Sequence, residues 1–100
     1  ELVRKLVENG INTIYEYANL RGCTGITSLD GITFRRSADL TGCTGITSLS
    51  NVTFMEDAYL KGCTGIASLS GITFRGYAYL YGCQPHIIEQ VRNMGVNVIL

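Results

Sequence analysis

The chain has 100 residues, of which 46% are hydrophobic, and its eight basic and eight acidic residues cancel. This length fits one domain, or a piece of one. The balanced charge provides no field that would attract nucleic acid or an acidic membrane surface, so neither is an expected partner. No apolar run approaches the ~20 residues of a membrane span, and the first ten residues are too charged for a signal-peptide core.

The first predicted element is a helix within ELVRKLVENG. Its four aliphatic residues fall on one side of a helix, and Gly10 is a typical helix stop. A short strand, INTI, follows. A terminal repeat has only one neighbour, so its sequence differs from that of the interior repeats. Residues 1–22 are therefore predicted to form an N-terminal cap that contains the helix.

The next part of the chain repeats every twenty residues. The phrase GCTGI occurs three times. Like residues recur in columns that include Cys23, Cys43, Cys63 and Cys83, Ala18, Ala38, Ala58 and Ala78, and Leu20, Leu40, Leu60 and Leu80. A fixed period of about 20–50 residues is typical of arrays in which each repeat is one coil. We therefore predict three compact 20-residue repeats over residues 23–82, with like side chains stacked into a continuous core.

Each repeat contains one segment with the alternation of a strand. In the third copy, Ala58 and Leu60 would face the core, while Asp57, Tyr59 and Lys61 would face outwards. Two glycines follow and predict a turn. The remaining apolar residues have neither a helical nor a strand period. The sequence therefore predicts one parallel sheet on one face of the stack, with irregular or 3₁₀-like return segments.

The last predicted elements are a helix and a strand, which form a C-terminal cap over residues 83–100. Pro85 suits the first turn of a helix, aliphatic residues supply an apolar face, and Gly95 ends it. The strand VNVI follows. We expect this strand, which ends at Leu100, to leave an exposed sheet edge unless further domains of the same parent chain, or another chain, cover it.

The segment AYLKGCTGIASLSGITF resembles a leucine-rich repeat, whose pattern is L-x-x-L-x-L-x-x-N/C-x-L. Ala58 and Leu60 match the strand positions, and Cys63 matches the Asn/Cys position. The phrase GCTGITSLS is similar to short, cysteine-bearing bacterial repeats of this family. The resemblance covers residues 11–100 and implies a solenoid with a parallel sheet on one face. With the helix that the residues predict in each terminal repeat, the expected fold class is an α/β solenoid. The chain departs from the pattern where alanine replaces the first strand leucine.

Pentapeptide repeats are a rival interpretation. The segments ANLRG and ADLTG match the unit of that family, and four such units also make a coil of twenty residues. That fold needs an apolar centre every five residues. The steps from Phe54 to Leu60 and from Leu60 to Ile66 are both six, so only a quarter of each coil follows the pattern.

The four cysteines are predicted to form a buried column of reduced thiols. Neighbouring coils stack about 4.8 Å apart, and a line of thiols cannot surround a zinc ion. We therefore expect neither a metal nor another cofactor. Reduced cysteines fit a reducing compartment, so the cytoplasm is the expected location, and a secreted effector that acts in a host cytosol also fits.

Cys83 and His86 are the one thiol and imidazole that lie close in sequence. A cysteine nucleophile needs a base and an oxyanion site. However, Cys83 belongs to the thiol column, and no third residue orients His86. We therefore expect no enzymatic activity and retain a cysteine hydrolase as a remote alternative.

The outward strand positions vary between repeats, and they hold five of the six tyrosines. Exposed tyrosines are typical of binding surfaces. As a family, leucine-rich repeats bind proteins or peptides through the concave face of the sheet, so the resemblance implies that function here. The predicted site residues are Tyr17, Arg21, Asp39, Asp57, Tyr59, Lys61, Tyr77, Tyr79 and Tyr81.

The alternative is a structural role for the same face. Tyr59 and Tyr79 would then stack as a cross-strand pair, and Lys61 would lie against Tyr81. In that case the chain would be a spacer or capping segment of a larger multidomain protein.

Overall fold

The structure is a computed structural model that describes residues 12–100. The predicted N-terminal helix lies outside the described residues. Within the described part, the chain forms nine strands of two residues each and one helix, α1, at Pro85–Asn93. The strands are β1 (Thr13–Ile14), β2 (Ala18–Asn19), β3 (Thr33–Phe34), β4 (Ala38–Asp39), β5 (Thr53–Phe54), β6 (Ala58–Tyr59), β7 (Thr73–Phe74), β8 (Ala78–Tyr79) and β9 (Val98–Ile99).

The strands form two parallel sheets, with the order β1-β3-β5-β7 in the first and β2-β4-β6-β8-β9 in the second. Each strand pairs with the strand twenty residues further along the chain. The register never shifts, so Ala18 pairs with Ala38, Ala38 with Ala58, and Ala58 with Ala78. The fold is therefore a repeat-like α/β stack, in which each 20-residue repeat contributes one strand to each sheet.

The first sheet corrects the prediction of an irregular return path. Thr33 and Phe34 form an extended pair in which phenylalanine is buried and threonine is half-buried. β-branched and aromatic residues favour this conformation. Isolated bridges also join Ser28 to Ser48 and Ser48 to Ser68. The strands of both sheets are two residues long. Ile32 and Phe34 are buried on either side of half-buried Thr33, an alternation like that of Ala58 and Leu60, so the sequence carries a signal for the first sheet as well.

The core is built from columns of like side chains, one from each repeat. Phe34, Phe54 and Phe74 stack with a ring-centroid separation of 5.3 Å at each step. The alanine and leucine columns of the second sheet are buried beside them. The predicted stacking of like residues is therefore confirmed for residues 12–100.

The phrase GCTG makes the turn after each strand of the second sheet, and it needs glycine for two different reasons. Gly62 has a φ of 74°, a left-handed conformation that other residues adopt at a cost. Gly65 has no room for a side chain, because a Cβ atom there would lie 2.7 Å from the carbonyl oxygen of Thr44. The repeated phrase thus provides both a turn and a close approach between neighbouring repeats.

The predicted C-terminal helix is confirmed as α1. Pro85 occupies its first turn, Ile87 and Val91 are buried, and Gly95 follows with a φ of 80°. The chain then returns as β9, which pairs with β8. Within residues 12–100 this nine-residue helix is the only one, and crossing a membrane requires about 20 residues.

Candidate binding face

The outward side of the second sheet carries all the residues predicted as a binding site. Successive side chains in a strand point to opposite sides, so the alanine and leucine columns enter the core and the residues between them face outwards. In the described structure these outward residues form two groups of different chemistry. The carboxylate cluster is Tyr17, Arg21, Asp39 and Thr41, and the tyrosine cluster is Tyr59, Lys61, Tyr77, Tyr79 and Tyr81.

The carboxylate cluster is organised around Asp39, which is only 6% exposed. The Thr41 hydroxyl and backbone N–H both donate to Asp39 Oδ1, at 2.6 Å and 3.1 Å. The Arg21 guanidinium donates to Oδ2 at 3.3 Å, and the Tyr17 hydroxyl donates to the same oxygen at 3.4 Å. One carboxylate thereby joins side chains from two neighbouring repeats.

The environment of Asp39 stabilises its charged form. Burial alone would raise the pKa of this carboxyl, but the Thr41 hydrogen bonds and then the charge of Arg21 outweigh that effect, so the pKa is lowered. The sequence predicts an outward carboxylate here that selects a partner. In the structure both of its oxygens accept hydrogen bonds from groups of the protein itself.

The tyrosine cluster is organised around a stacked pair. The rings of Tyr59 and Tyr79 have centroids 4.5 Å apart and are inclined by 14°. They stack because parallel pairing places the two residues directly beside each other on β6 and β8. The stacked pair, which the sequence predicts under the structural alternative, is thus present.

Lys61 and two further tyrosines surround this pair. The Lys61 ammonium lies 5.9 Å from the ring centroid of Tyr79, within cation–π range, so the predicted contact with Tyr81 is replaced by one with Tyr79. Tyr77 and Tyr81 are 48% and 68% exposed. The cluster therefore presents one ordered pair of rings flanked by two rings that face solvent.

Asp57 lies at the border of the tyrosine cluster and fixes the entry to β8. Its Oδ1 accepts a hydrogen bond of 2.9 Å from the backbone N–H of Tyr77. Gly76 leaves space for this contact, because a Cβ atom there would lie 2.7 Å from the same oxygen. The carboxylate therefore supports the position of Tyr77.

The hydroxyl of Tyr59 is held in its neutral form. Burial, followed by the nearby Tyr79 hydroxyl and the Asp57 carboxylate, raises the pKa of Tyr59 above its usual value. A neutral phenol can donate a hydrogen bond as well as accept one. Tyr59 therefore keeps its hydroxyl hydrogen to a higher pH than an ordinary tyrosine does.

The cysteines form the predicted column beneath the turns, and all four are free thiols. The thiols of Cys43, Cys63 and Cys83 each donate to a leucine carbonyl of the preceding repeat, at 3.0, 3.1 and 3.2 Å. Burial raises the pKa of Cys63 to about 12. Within the described residues, no group of three His, Cys, Asp or Glu side chains is placed to hold a metal ion.

The pair Cys83 and His86 has poor geometry for nucleophilic catalysis. Cys83 is buried, and its thiol donates to the carbonyl of Leu60. Burial raises the pKa of Cys83 to about 11, which opposes formation of the reactive thiolate. His86 lies in the exposed first turn of α1. The arrangement gives no support to the hydrolase alternative.

Two features of the structure are missing from the predicted site. Thr41 is one of them. The spacing Asp39-x-Thr41 could have indicated it, because an aspartate side chain often accepts a hydrogen bond from the backbone N–H two residues later. The second is a cleft of about 340 Å³ beside the carboxylate cluster. The cleft is lined by Tyr15, Glu16, Tyr17, Arg36, Ser37 and Glu56.

No protein-family model, curated protein or solved structure matches the chain. Its function is therefore argued from the two clusters alone.

Proposed function

We propose that this chain is a leucine-rich-repeat-like solenoid that recognises a protein or peptide through the tyrosine cluster. The parallel pairing of like residues every twenty positions supports the solenoid, since each strand is hydrogen-bonded to the equivalent strands of neighbouring repeats. The sheet provides a rigid base from which the tyrosines project. Short cysteine-bearing repeats of the bacterial type remain the family that the sequence resembles.

The observation that carries the binding proposal is the exposure of aromatic surface next to an ordered ring pair. Tyr81 is 68% exposed and Tyr77 is 48% exposed, beside the stack of Tyr59 and Tyr79. Tyrosine gives a large contact area with few rotatable bonds and a hydroxyl for hydrogen bonding. Rings of this kind are enriched among the residues that contribute most to binding.

In this proposal the two clusters have different roles. The carboxylate cluster satisfies its own charges, since Arg21 and Asp39 form an ion pair of 3.3 Å. It stabilises one end of the sheet, while the tyrosine cluster is the contact surface. Arg21 and Tyr17 border that surface, and Asp57 supports it from the side.

A structural role for the face is the second candidate. The contacts of Tyr59 with Tyr79 and of Lys61 with Tyr79 use ring surface within the chain itself. A spacer or capping segment of a larger protein would need no more than these contacts. Free cysteines are typical of a reducing compartment, so either role is proposed for the cytoplasm.

The test compares two variants that remove exposed tyrosines from different places. Tyr15 lies off the sheet face and is 67% exposed, nearly the same as Tyr81. Tyr15→Ala is therefore a matched control for the double variant Tyr79→Ala, Tyr81→Ala. The wild type and both variants are immobilised and exposed to a lysate of the source cells, and bound proteins are identified by mass spectrometry. The affinity of each candidate partner is then measured with purified components by calorimetry.

We expect a partner that binds the wild type and Tyr15→Ala with equal affinity and does not bind the double variant. Circular dichroism confirms that each variant is folded. If the double variant retains every partner of the wild type, the tyrosine cluster is not the contact surface and the structural role is favoured.

A further inference from the structure

The outer edge of β9 has no partner strand among the described residues, since β9 is the outermost strand of the second sheet. The backbone N–H groups of Ala78 and Leu80 donate to the carbonyls of Asn97 and Ile99, so these carbonyls face β8. Successive residues of an extended strand direct their backbone groups to alternate edges. The N–H and C=O of Val98 therefore point away from the sheet, where another strand can pair with them.

The side chains at this edge are of the kind that the other repeats bury. Val98 pairs with Ala78, so Val98 lies in the alanine column and Leu100 follows in the leucine column of Leu80. Leu100 is 57% exposed, whereas the other four leucines of its column are at most 8% exposed. A further strand beside β9 would bury this apolar surface, which is favourable because it removes the surface from water.

The edge also lacks the residues that protect an outer strand. Charged side chains and prolines at an edge prevent it from pairing with other chains. Residues 93–100 contain no charged residue and no proline. α1 packs against β9 and exposes Glu89 and Arg92, one charge of each sign. Neither the strand nor the helix beside it would therefore repel another copy of the chain.

The sequence of the edge is complementary to itself. If two copies of the strand pair antiparallel about a two-fold axis at Val98, Val98 lies opposite Val98 of the second copy, and Val96 lies opposite Leu100. These residues are two positions apart, so they share one side of the strand. It is the core side, where Val96 and Val98 already pack. Each pairing thus joins aliphatic side chains and provides partners for the free backbone groups.

The other end of the second sheet does not offer an equivalent apolar surface. Ala18 and Leu20, which lie in the same two columns at β2, are only 6% and 8% exposed. A head-to-tail contact between β9 and β2 of another copy would therefore find these columns already covered. A two-fold contact instead uses the same exposed edge on both copies and closes at two chains.

We propose that the chain forms a two-fold symmetric dimer in which β9 of each copy pairs antiparallel with β9 of the other. The second sheet then continues from one copy into the other, with five strands from each. This inference is independent of the proposed function, since the paired side chains lie on the core side of the sheet and the tyrosine cluster lies on its outer side. Both tyrosine clusters would face the same side of the dimer.

The direct test is sedimentation velocity of the 100-residue chain over concentrations from about 1 μM to about 1 mM. We expect a reversible equilibrium between monomer and dimer, with no larger species. A chain that stays monomeric over this range would overturn the proposal and leave the edge to a further domain or another protein. Open-ended assemblies would also overturn it, because a two-fold contact cannot produce them.

Two substitutions at the edge should weaken the dimer in different ways. Leu100→Lys places an ammonium opposite Val96 of the second copy and should raise the dissociation constant about tenfold or more. Its position is mostly exposed in the single chain, so folding should be unaffected. Val98→Pro removes the central N–H donor, which points away from β8, and should prevent pairing.

Tyr15→Lys is the matched control, because it introduces the same charge at an exposed position in the first described repeat. This variant should form dimers like the wild type. Circular dichroism checks that each variant is folded. If Leu100→Lys is folded and forms dimers as strongly as the wild type, the contact lies elsewhere and the proposal is wrong.

Hydrogen exchange followed by NMR identifies the strand that pairs. The Val98 amide should exchange more slowly at concentrations where the dimer forms than in dilute solution, because it gains a hydrogen bond. The Ala58 amide, which already donates to the carbonyl of Tyr77, should show no such change. A dimer in which the exchange of Val98 does not slow would be held by another surface and would overturn the proposal.

Discussion

Two aromatic stacks cross the repeats, one in the core and one on the surface. Phe34, Phe54 and Phe74 stack at 5.3 Å, with planes inclined by 5° and 12°. Tyr59 and Tyr79 stack at 4.5 Å with an inclination of 14°. Parallel pairing in constant register produces both stacks, since it places equivalent residues of neighbouring repeats side by side.

The stacks differ in how far they extend along their columns. The core stack keeps phenylalanine in three successive repeats: Phe34 and Phe54 are fully buried, and Phe74 packs against the core while partly exposed. The surface column changes from Asn19 to Asp39 before the two tyrosines begin. The period thus determines where outward side chains lie, while their chemistry is free to vary. That freedom distinguishes the surface of the stack from its core.

The largest expected effect comes from breaking the buried stack. Phe54 is its central ring and is fully buried. Phe54→Ala should lower the free energy of unfolding by about 3–5 kcal/mol, through lost burial and the cavity left behind. Urea denaturation followed by circular dichroism measures this. Phe54→Leu fills part of the space and should cost clearly less; equal costs for both variants would contradict the stacking account.

The interior and the surface should also differ in thiol reactivity. The pKa of Cys63 is about 12, compared with 9.0 for an ordinary thiol, so its thiolate fraction at pH 8 is lower by about a thousandfold. Site-resolved labelling with a disulfide reagent, read by mass spectrometry, should modify half-buried Cys23 before Cys43, Cys63 or Cys83. Much faster labelling of Cys83 than of Cys43 would contradict the prediction and favour the hydrolase alternative.

A smaller effect on the free energy of unfolding is expected from replacing Asp39, the carboxylate in the outward column. The lowered pKa of Asp39 means that its charged form stabilises the fold. This contribution is complete above the unfolded-state value near 4 and is lost as the pH falls through the lower folded-state value. Asp39→Asn should therefore reduce stability at pH 7 by about 1–3 kcal/mol.

The pH dependence provides the check on Asp39. The stability difference between wild type and Asp39→Asn should shrink as the pH is lowered from about 5 towards 2, as measured by urea denaturation at each pH. A difference that stays constant across this range would mean that the carboxylate charge does not contribute.

The smallest effect is expected from the surface stack. Tyr59→Ala, Tyr79→Ala and the double variant form a cycle whose coupling free energy should be about 0.5–1 kcal/mol, as for other cross-strand aromatic pairs. Thermal and urea unfolding provide the values. A coupling as large as the cost of Phe54→Ala would show that the tyrosine pair is a structural element, and it would favour the structural role for the face.

The second sheet could be predicted from the sequence because its inward residues repeat with the chain's period. Ala58 and Leu60 alternate with polar residues, so the strand direction and the outward positions follow. The first sheet is not predicted, although its segments carry a similar signal. Val52 and Phe54 are buried on either side of half-buried Thr53, and the same residue types recur in the neighbouring repeats.

The outward positions of the face could be predicted, but the contacts among their side chains could not. The burial of Asp39 depends on Arg21 and Tyr17, which belong to the preceding repeat. The position of Lys61 over Tyr79 depends on how a long side chain crosses to the next strand. Such contacts depend on the side-chain conformations of residues in neighbouring repeats, and the sequence period does not specify these conformations.

The constant register has a consequence for how the chain folds. Every strand pairing in both sheets joins residues twenty positions apart. The entropy lost in closing a loop depends on loop length, so each added repeat costs the same as the one before it. The structure can therefore grow outward from a first pair of repeats, and during synthesis each repeat can join the folded part once its own twenty residues have emerged.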